Sequence, residues 1–248
     1  MKRIVYLLLF LSISLFAQNE GTFEEANEAY SNGNYEEAID KYNKILESGE
    51  ASAALYYNLG NAHYKLNHLA ESIYNYEKAL LRNPGDEDIK NNIKFARNMA
   101  IDDIQEVDRS GFSESVNNLI STFTANSWAT IAIIFCALFA AFFLAYYFMQ
   151  KPLLKRIFFG ISIVMVLCGF LSIYFAYARE EIMENNQYAI IFSEEAQVRN
   201  EPSLRGDEAF LLHEGTKARV LEDYQEWVKI ELANGNQGWI NKENIKRL

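Results

Sequence analysis

Three histidines and two cysteines are all that this 248-residue chain offers as imidazole or thiolate ligands. His63, His68 and His213 are scattered, with no paired spacing of the kind that holds zinc. Cys136 and Cys168 each lie inside a long apolar run, where a thiol reads as a small packing residue. No phosphate-cradling glycine loop, nucleophile elbow or Ser-x-x-Lys motif occurs. The chain is therefore expected to work without catalytic groups, metal or cofactor. The chemistry left is recognition, through amides and through 15 tyrosines and 17 phenylalanines, the kind of side chain that anchors protein contacts. A net charge of −10 argues against a nucleic-acid partner, which needs a basic footprint.

Such residues need a frame, and the frame is organised around two uncharged runs, 128–149 and 157–178. A hydrocarbon core of ~30 Å takes roughly 20 helical residues, so each run predicts a transmembrane helix. Trp128, Tyr146, Tyr147, Tyr174 and Tyr177 suit the interfacial belt. Ala137, Ala141 and Ala145 on one run, and Gly169, Ser172 and Ala176 on the other, predict the faces on which the helices meet. The loop 150–156 carries Lys151, Lys155 and Arg156 and no acid, which predicts a cytoplasmic tip. Both flanking regions then fall on the outer side. Lys2 and Arg3, an apolar run from Ile4 to Phe16, and Ala17 before Gln18 have the shape of a signal peptide over 1–17, with the same consequence. Neither apolar run holds an ionisable residue, which removes most support for a transporter or pump.

Residues 22–84 repeat at a shift of 34: Tyr30 with Tyr64, Gly33 with Asn67, Ile39 with Ile73, Tyr42 with Tyr76 and Leu46 with Leu80. That period, with Tyr57-Asn58-Leu59-Gly60-Asn61-Ala62 opening the second unit and Pro84 closing it, resembles the tetratricopeptide family. The region 20–99 is read as repeats 22–50 and 53–86 plus a capping helix bearing Ile89, Ile93 and Ala96. The resemblance implies a groove lined by Phe23, Asn27, Tyr30, Tyr57, Asn61, Tyr64 and Lys65, continued by Asn91 and Phe95 on the cap. Asn27 and Asn61 match asparagines that in some family members grip a terminal carboxylate. The cations of that clamp are missing here, Lys65 apart. Extended or helical protein segments are the expected guests.

Residues 100–127 read as an acidic linker followed by an amphipathic helix with Phe112, Val116, Leu119, Ile120 and Phe123 on one face. It lies at the membrane interface or packs on the repeat array. From Gln187 the period becomes alternating. Strands are predicted at 188–191, 196–199, 218–221, 227–230 and 238–240, with turns at Glu214-Gly215-Thr216 and Asn234-Gly235-Asn236. The string Val198 to Ser203, then Gly215-Thr216, Trp227-Val228-Lys229-Ile230 and Gly238-Trp239-Ile240 resembles the bacterial SH3b family over 187–248. Pro202, Trp227 and Trp239 match family positions, although Trp239 reads as a core side chain before a ligand contact. The expected fold is thus a multidomain membrane protein: an all-α tetratricopeptide array, a transmembrane hairpin and an all-β SH3-like barrel.

That order of modules resembles the BatE family of aerotolerance-operon proteins. The resemblance implies a non-enzymatic scaffold on the periplasmic face of the inner membrane, binding von Willebrand A-domain Bat proteins and supporting envelope integrity and oxidative-stress tolerance. The alternative it leaves is a sensor whose SH3b domain binds cell-wall peptidoglycan.

Overall fold

The computed structural model describes residues 20–104 and 111–248. The signal-peptide reading of 1–17 and the middle of the acidic linker lie outside the described residues. The chain forms two units. One joins the helical array to the C-terminal sheet; the other contains the apolar helices.

In the first unit, α1 (20–31), α2 (Tyr35–Glu47), α3 (Ala53–Lys65), α4 (Leu69–Arg82) and α5 (Glu87–Arg97) follow one another as antiparallel pairs and a cap. Local chemistry sets their ends. Ser52 Oγ accepts from the Leu55 amide to start α3, and Asp86 Oδ1 accepts from the Asp88 and Ile89 amides to start α5. The two tight turns inside the repeats place Gly33 (φ 82°) and Asn67 (φ 59°) in the left-handed region. These residues are 34 apart, and glycine and asparagine are the types that tolerate this backbone. The 34-residue period is therefore a period of turns as well as of packing.

Helix α4 is buried on two sides. Ser72, Tyr76 and Ala79 face α3, where Ser72 Oγ donates to the Gly60 carbonyl (3.1 Å). Leu69, Ile73 and Glu77, spaced four apart, form a second stripe. The C-terminal sheet sits on it.

That sheet has seven antiparallel strands in the order β3-β2-β6-β5-β4-β1-β7. In chain order they are β1 (Tyr188–Ile191), β2 (Glu195–Arg199), β3 (Glu208–His213), β4 (Lys217–Tyr224), β5 (Trp227–Glu231), β6 (Gln237–Asn241) and β7 (Ile245–Arg247). Gly215 (φ 84°) and Gly235 (φ 89°) make the β3–β4 and β5–β6 turns. One core gathers Ala189, Val198, Leu212, Val220, Val228 and Ile240, with Phe210 and Ile245 of the two edge strands against it. Seven flat strands spaced ~4.8 Å apart would hold their edges too far apart to share one core. The sheet is rolled, and register shifts at Val198/Arg199 and Val220/Glu222 supply the bends. Strands β3 and β7 were not expected from the sequence. In β3 only Leu212 is buried, and β7 has three residues, so neither leaves an alternating trace.

The second unit contains α6 (Phe112–Ser121), α7 (Ala125–Phe148) and α8 (Pro152–Asn185); α7 and α8 are long and apolar enough to cross a membrane. Three corrections arise here. The connection is tighter than 150–156, because Pro152 takes the first position of α8 and puts Lys155 and Arg156 on the helix. Ala137 and Ala141 are exposed, so the predicted alanine face of α7 is not its contact face. Instead Trp128 and Ala132 are buried, Trp128 packs on Phe175 (4.9 Å) and Phe142 stacks on Phe158 (6.2 Å). The small-residue row on α8 does serve: Gly169 lies so close to α7 that a Cβ there would be 3.6 Å from Phe135 Cβ. The predicted amphipathic face of α6 is divided. Ile120 and Val116 pack with α7 and α8, whereas Phe112, Leu119 and Phe123 remain exposed.

Candidate functional site

The row of α1, α3 and α5 is built on a ladder that repeats every 34 residues. Asn27 Oδ1 accepts from the Tyr42 hydroxyl (2.6 Å) and from Asn58 Nδ2 (2.8 Å). One repeat on, Asn61 Oδ1 accepts from the Tyr76 hydroxyl (2.7 Å) and from Asn92 Nδ2 (2.9 Å). Burial pushes the Tyr42 phenol up to about 12 and raises Tyr76 as well, so both hydroxyls stay protonated and keep donating. The candidates Asn27 and Asn61 thus tie each A helix to its own B helix and to the next A helix. Their carbonyl oxygens are spent inside the array, and only the Nδ2 groups remain for a guest.

The other candidates sort by exposure. Phe23 and Tyr30 pack against the core of the first repeat, with Phe23 5.9 Å from the Tyr42 ring and Tyr30 edge-on to Tyr35 (5.3 Å). Tyr57 accepts from Asn92 Nδ2 (3.0 Å), and Tyr57 and Tyr64 both pack on the second core. Lys65, Asn91 and Phe95 are exposed, Phe95 at 59%. Asn58 and Asn92 escaped sequence reasoning as ladder members. Extending the 34-residue alignment one step, from Asn58 to Asn92, would have found them.

The sheet meets the array chiefly through β1 and α4. It docks on the second stripe of α4. Ile190, fully buried, joins Leu69, Ile73 and Ile89 in one core, with Phe192 and Leu248 beside it. Burying an isoleucine of this kind contributes roughly 1.5–3 kcal/mol. Gly215 comes so near that a Cβ there would be 2.9 Å from Ile73 Cδ1. At the centre lies Glu77, 2% exposed, whose Oε1 and Oε2 each accept a 2.7 Å bond, from Arg97 and from Lys217. Burial alone would raise its pKa, but Lys217 and then Arg97 hold the carboxyl below its ordinary value of 4.5.

A second polar node follows α5. Asp102 accepts from the His213 amide (2.7 Å), from His213 Nδ1 (2.7 Å) and from the Thr216 hydroxyl (2.6 Å). Burial works against ionisation there, yet the Thr216 and His213 bonds keep the Asp102 carboxyl below its ordinary 3.8. The expected linker is therefore pinned at its start, and Ile104 packs into the core of the sheet.

His63 and His68 meet through their Nδ1 atoms (3.3 Å), and burial lowers His63 to about 4, leaving it neutral. Among the described residues no group of three or more metal-ligating side chains occurs. Trp239 corrects the expectation of a core side chain. It is half-buried between the buried Gly238 and Ile240, stands outside the sheet's core and meets Tyr224 edge-on (6.2 Å). Trp227 is buried but stands outside the sheet's core, and Pro202 is half-buried in the β2–β3 loop.

Comparison with family models agrees with this geometry. Residues 23–87 match a tetratricopeptide repeat model, and residues 193–246 match a bacterial SH3 domain model. The array is tetratricopeptide-like, and the sheet is SH3-like. No curated protein matches the chain. Both domain types are interaction modules.

Proposed function

We propose that the chain is a non-enzymatic membrane scaffold that holds a partner protein on the α1–α3–α5 row, in the manner of the BatE family. The observation that carries this reading is the docking of the SH3-like sheet on α4. It fuses the two modules and leaves the A-helix row to another protein. A von Willebrand A-domain protein of the same operon type is the proposed partner, with envelope integrity and oxidative-stress tolerance as the process served.

The docking also supports the two-span arrangement. Residues 20–104 and 187–248 pack into one body, so they share one side of any membrane that the intervening chain enters. Two apolar helices return the chain to its starting side. Lys151, Lys155 and Arg156 at their junction favour the cytoplasm, which makes the shared compartment the periplasm. A reporter fused after Leu248 is expected to be active only outside the cytoplasm. Activity on the inside would overturn the orientation.

For the partner, the informative variant is one that leaves the ladder intact. Asn61→Ala would strip two hydrogen bonds from the array, confusing folding with binding. Asn91→Ala with Phe95→Ala touches only exposed side chains. Affinity capture from detergent extracts should retain a von Willebrand A-domain protein on the wild type and lose it on this double variant, at an unchanged melting temperature. Retention by both would sink the scaffold reading. One observation favours a second reading, peptidoglycan binding: the half-buried Trp239 and the exposed Tyr224 form an aromatic pair, and neither belongs to the core on which the sheet docks. Under that reading the intact chain is retained on purified peptidoglycan, and Trp239→Ala abolishes retention while partner capture persists.

A further inference from the structure

We infer that Arg179, where α6 meets the end of α8, is a seat for a phosphate anion, supplied by the headgroup of an anionic phospholipid. The inference rests on the reading that α8 spans a membrane. The uncharged run 157–178 is about 33 Å long at ~1.5 Å per residue, close to the ~30 Å of a hydrocarbon core. Arg156 and Arg179 bracket it, so Arg179 is the first charge met on leaving the apolar layer.

An arginine there would ordinarily reach for water. This one does not. It is 8% exposed and lies one turn beyond Phe175, which packs with Ile120, Trp128 and Ile182 at the α6–α7–α8 junction. Its guanidinium keeps its proton at any physiological pH. Yet no carboxylate lies within ion-pair distance among the described residues. Its hydrogen-bond partner among the described residues is the Ser121 hydroxyl at 3.4 Å, long for such a bond, and Nε is buried with no partner among those residues. Glu180, Glu181 and Glu184 point to solvent. Glu114 lies in the first turn of α6, roughly 10 Å of helix axis before Ser121; its Oε2 is likewise buried without a partner among the described residues, and it forms no ion pair with Arg179 there. A buried, permanent cation to which the described residues bring no counter-charge is costly to keep unless an anion completes it.

Chemistry and position select the anion. The planar fork matches two oxygens of a phosphodiester. Antiparallel packing of Trp128 on Phe175 brings Arg179 level with the start of α7, whose positive helix end favours the same charge. Phe112, 88% exposed, and the half-exposed Leu119 turn the outer side of α6 toward lipid.

The test is native mass spectrometry of the full chain in non-ionic detergent, with phosphatidylglycerol or phosphatidylcholine titrated in. A parallel arm follows thermal unfolding with inorganic phosphate. The wild type should keep phosphatidylglycerol at least tenfold better than Arg179→Met. Arg179→Lys, which keeps the charge but not the fork, should fall between and guards against misfolding of the methionine variant. Arg179-dependent protection by inorganic phosphate alone would assign the seat to the free anion. Equal phosphatidylglycerol retention by all three proteins, with no phosphate effect, overturns the site. The spanning reading is tested separately: if alkaline carbonate releases the chain from membranes without detergent, that reading has failed, whatever the adducts show.

Discussion

Replacing both cations around Glu77 destabilises the fused array and sheet more than replacing Glu77 itself. The three groups are not equally buried. Glu77 keeps 3% of its side chain exposed, Lys217 26% and Arg97 42%. Removing the acid lets both cations relax toward water, so Glu77→Gln loses little beyond hydrogen bonds. Arg97→Met with Lys217→Met instead strands a carboxylate in a dry interface, which costs about 3–5 kcal/mol for a broken buried pair. Denaturant unfolding of the purified chain at pH 7 reads the difference.

The pH dependence separates the double variant from the wild type by sign. In the wild type the folded pKa of Glu77 lies below 4.5. Its contribution is present above 4.5 and is lost as pH falls through the folded value, and Asp102 adds a loss of the same sign. With both cations gone, burial is the dominant influence and the folded pKa rises. The Glu77 contribution then inverts: stability is highest below 4.5 and declines as pH rises through the raised value. Relative to wild type, the double variant should recover on acidification toward pH 4. A penalty that is equal at pH 7 and pH 4 would mean that the ion triad is not what holds the sheet to α4.

Why the sequence concealed this interface is a matter of range. The 34-residue period was readable because each turn and each ladder residue recurs: Gly33 and Asn67, Tyr42 and Tyr76. The apolar helices were readable because no charge interrupts them, and the β5–β6 hairpin because Asn234-Gly235 admits few other conformations. Glu77 and Lys217 are 140 residues apart and of ordinary type, so no local pattern joins them. The one trace was the second stripe on α4, Leu69 and Ile73 on a helix already apolar toward α3. Trp239 was misjudged for the opposite reason. Its position after Gly238 suggested burial, but alternation along β6 buries Gly238 and Ile240 and leaves the indole half-buried on the other face. Gly238 is the residue with no room, since a Cβ there would be 2.4 Å from Val198 Cγ1.

Gly60→Ala is the second large effect, and it isolates the packing on which the binding row depends. In most helix interiors this change is favourable by up to ~1 kcal/mol. Here the new Cβ would lie 2.6 and 2.7 Å from Cδ1 and Cε1 of Tyr76. The ring cannot yield cheaply. Tyr76 is fully buried, packs 6.0 Å from the Tyr57 ring and is fixed at its tip by the bond to Asn61. Overpacking of this kind costs about 1–3 kcal/mol. Any shift of Tyr76 also loosens the Asn61–Asn92 contact that sets α5 against α3. Gly21→Ala, with nothing within 4 Å, is the control and should be neutral or slightly stabilising. Combining Gly60→Ala with Tyr76→Leu should restore part of the loss, because the smaller side chain makes room. A double-mutant cycle showing additive penalties would remove the steric account of the α3–α4 crossing. It would also remove the reason for expecting α1, α3 and α5 to present one rigid surface to a partner.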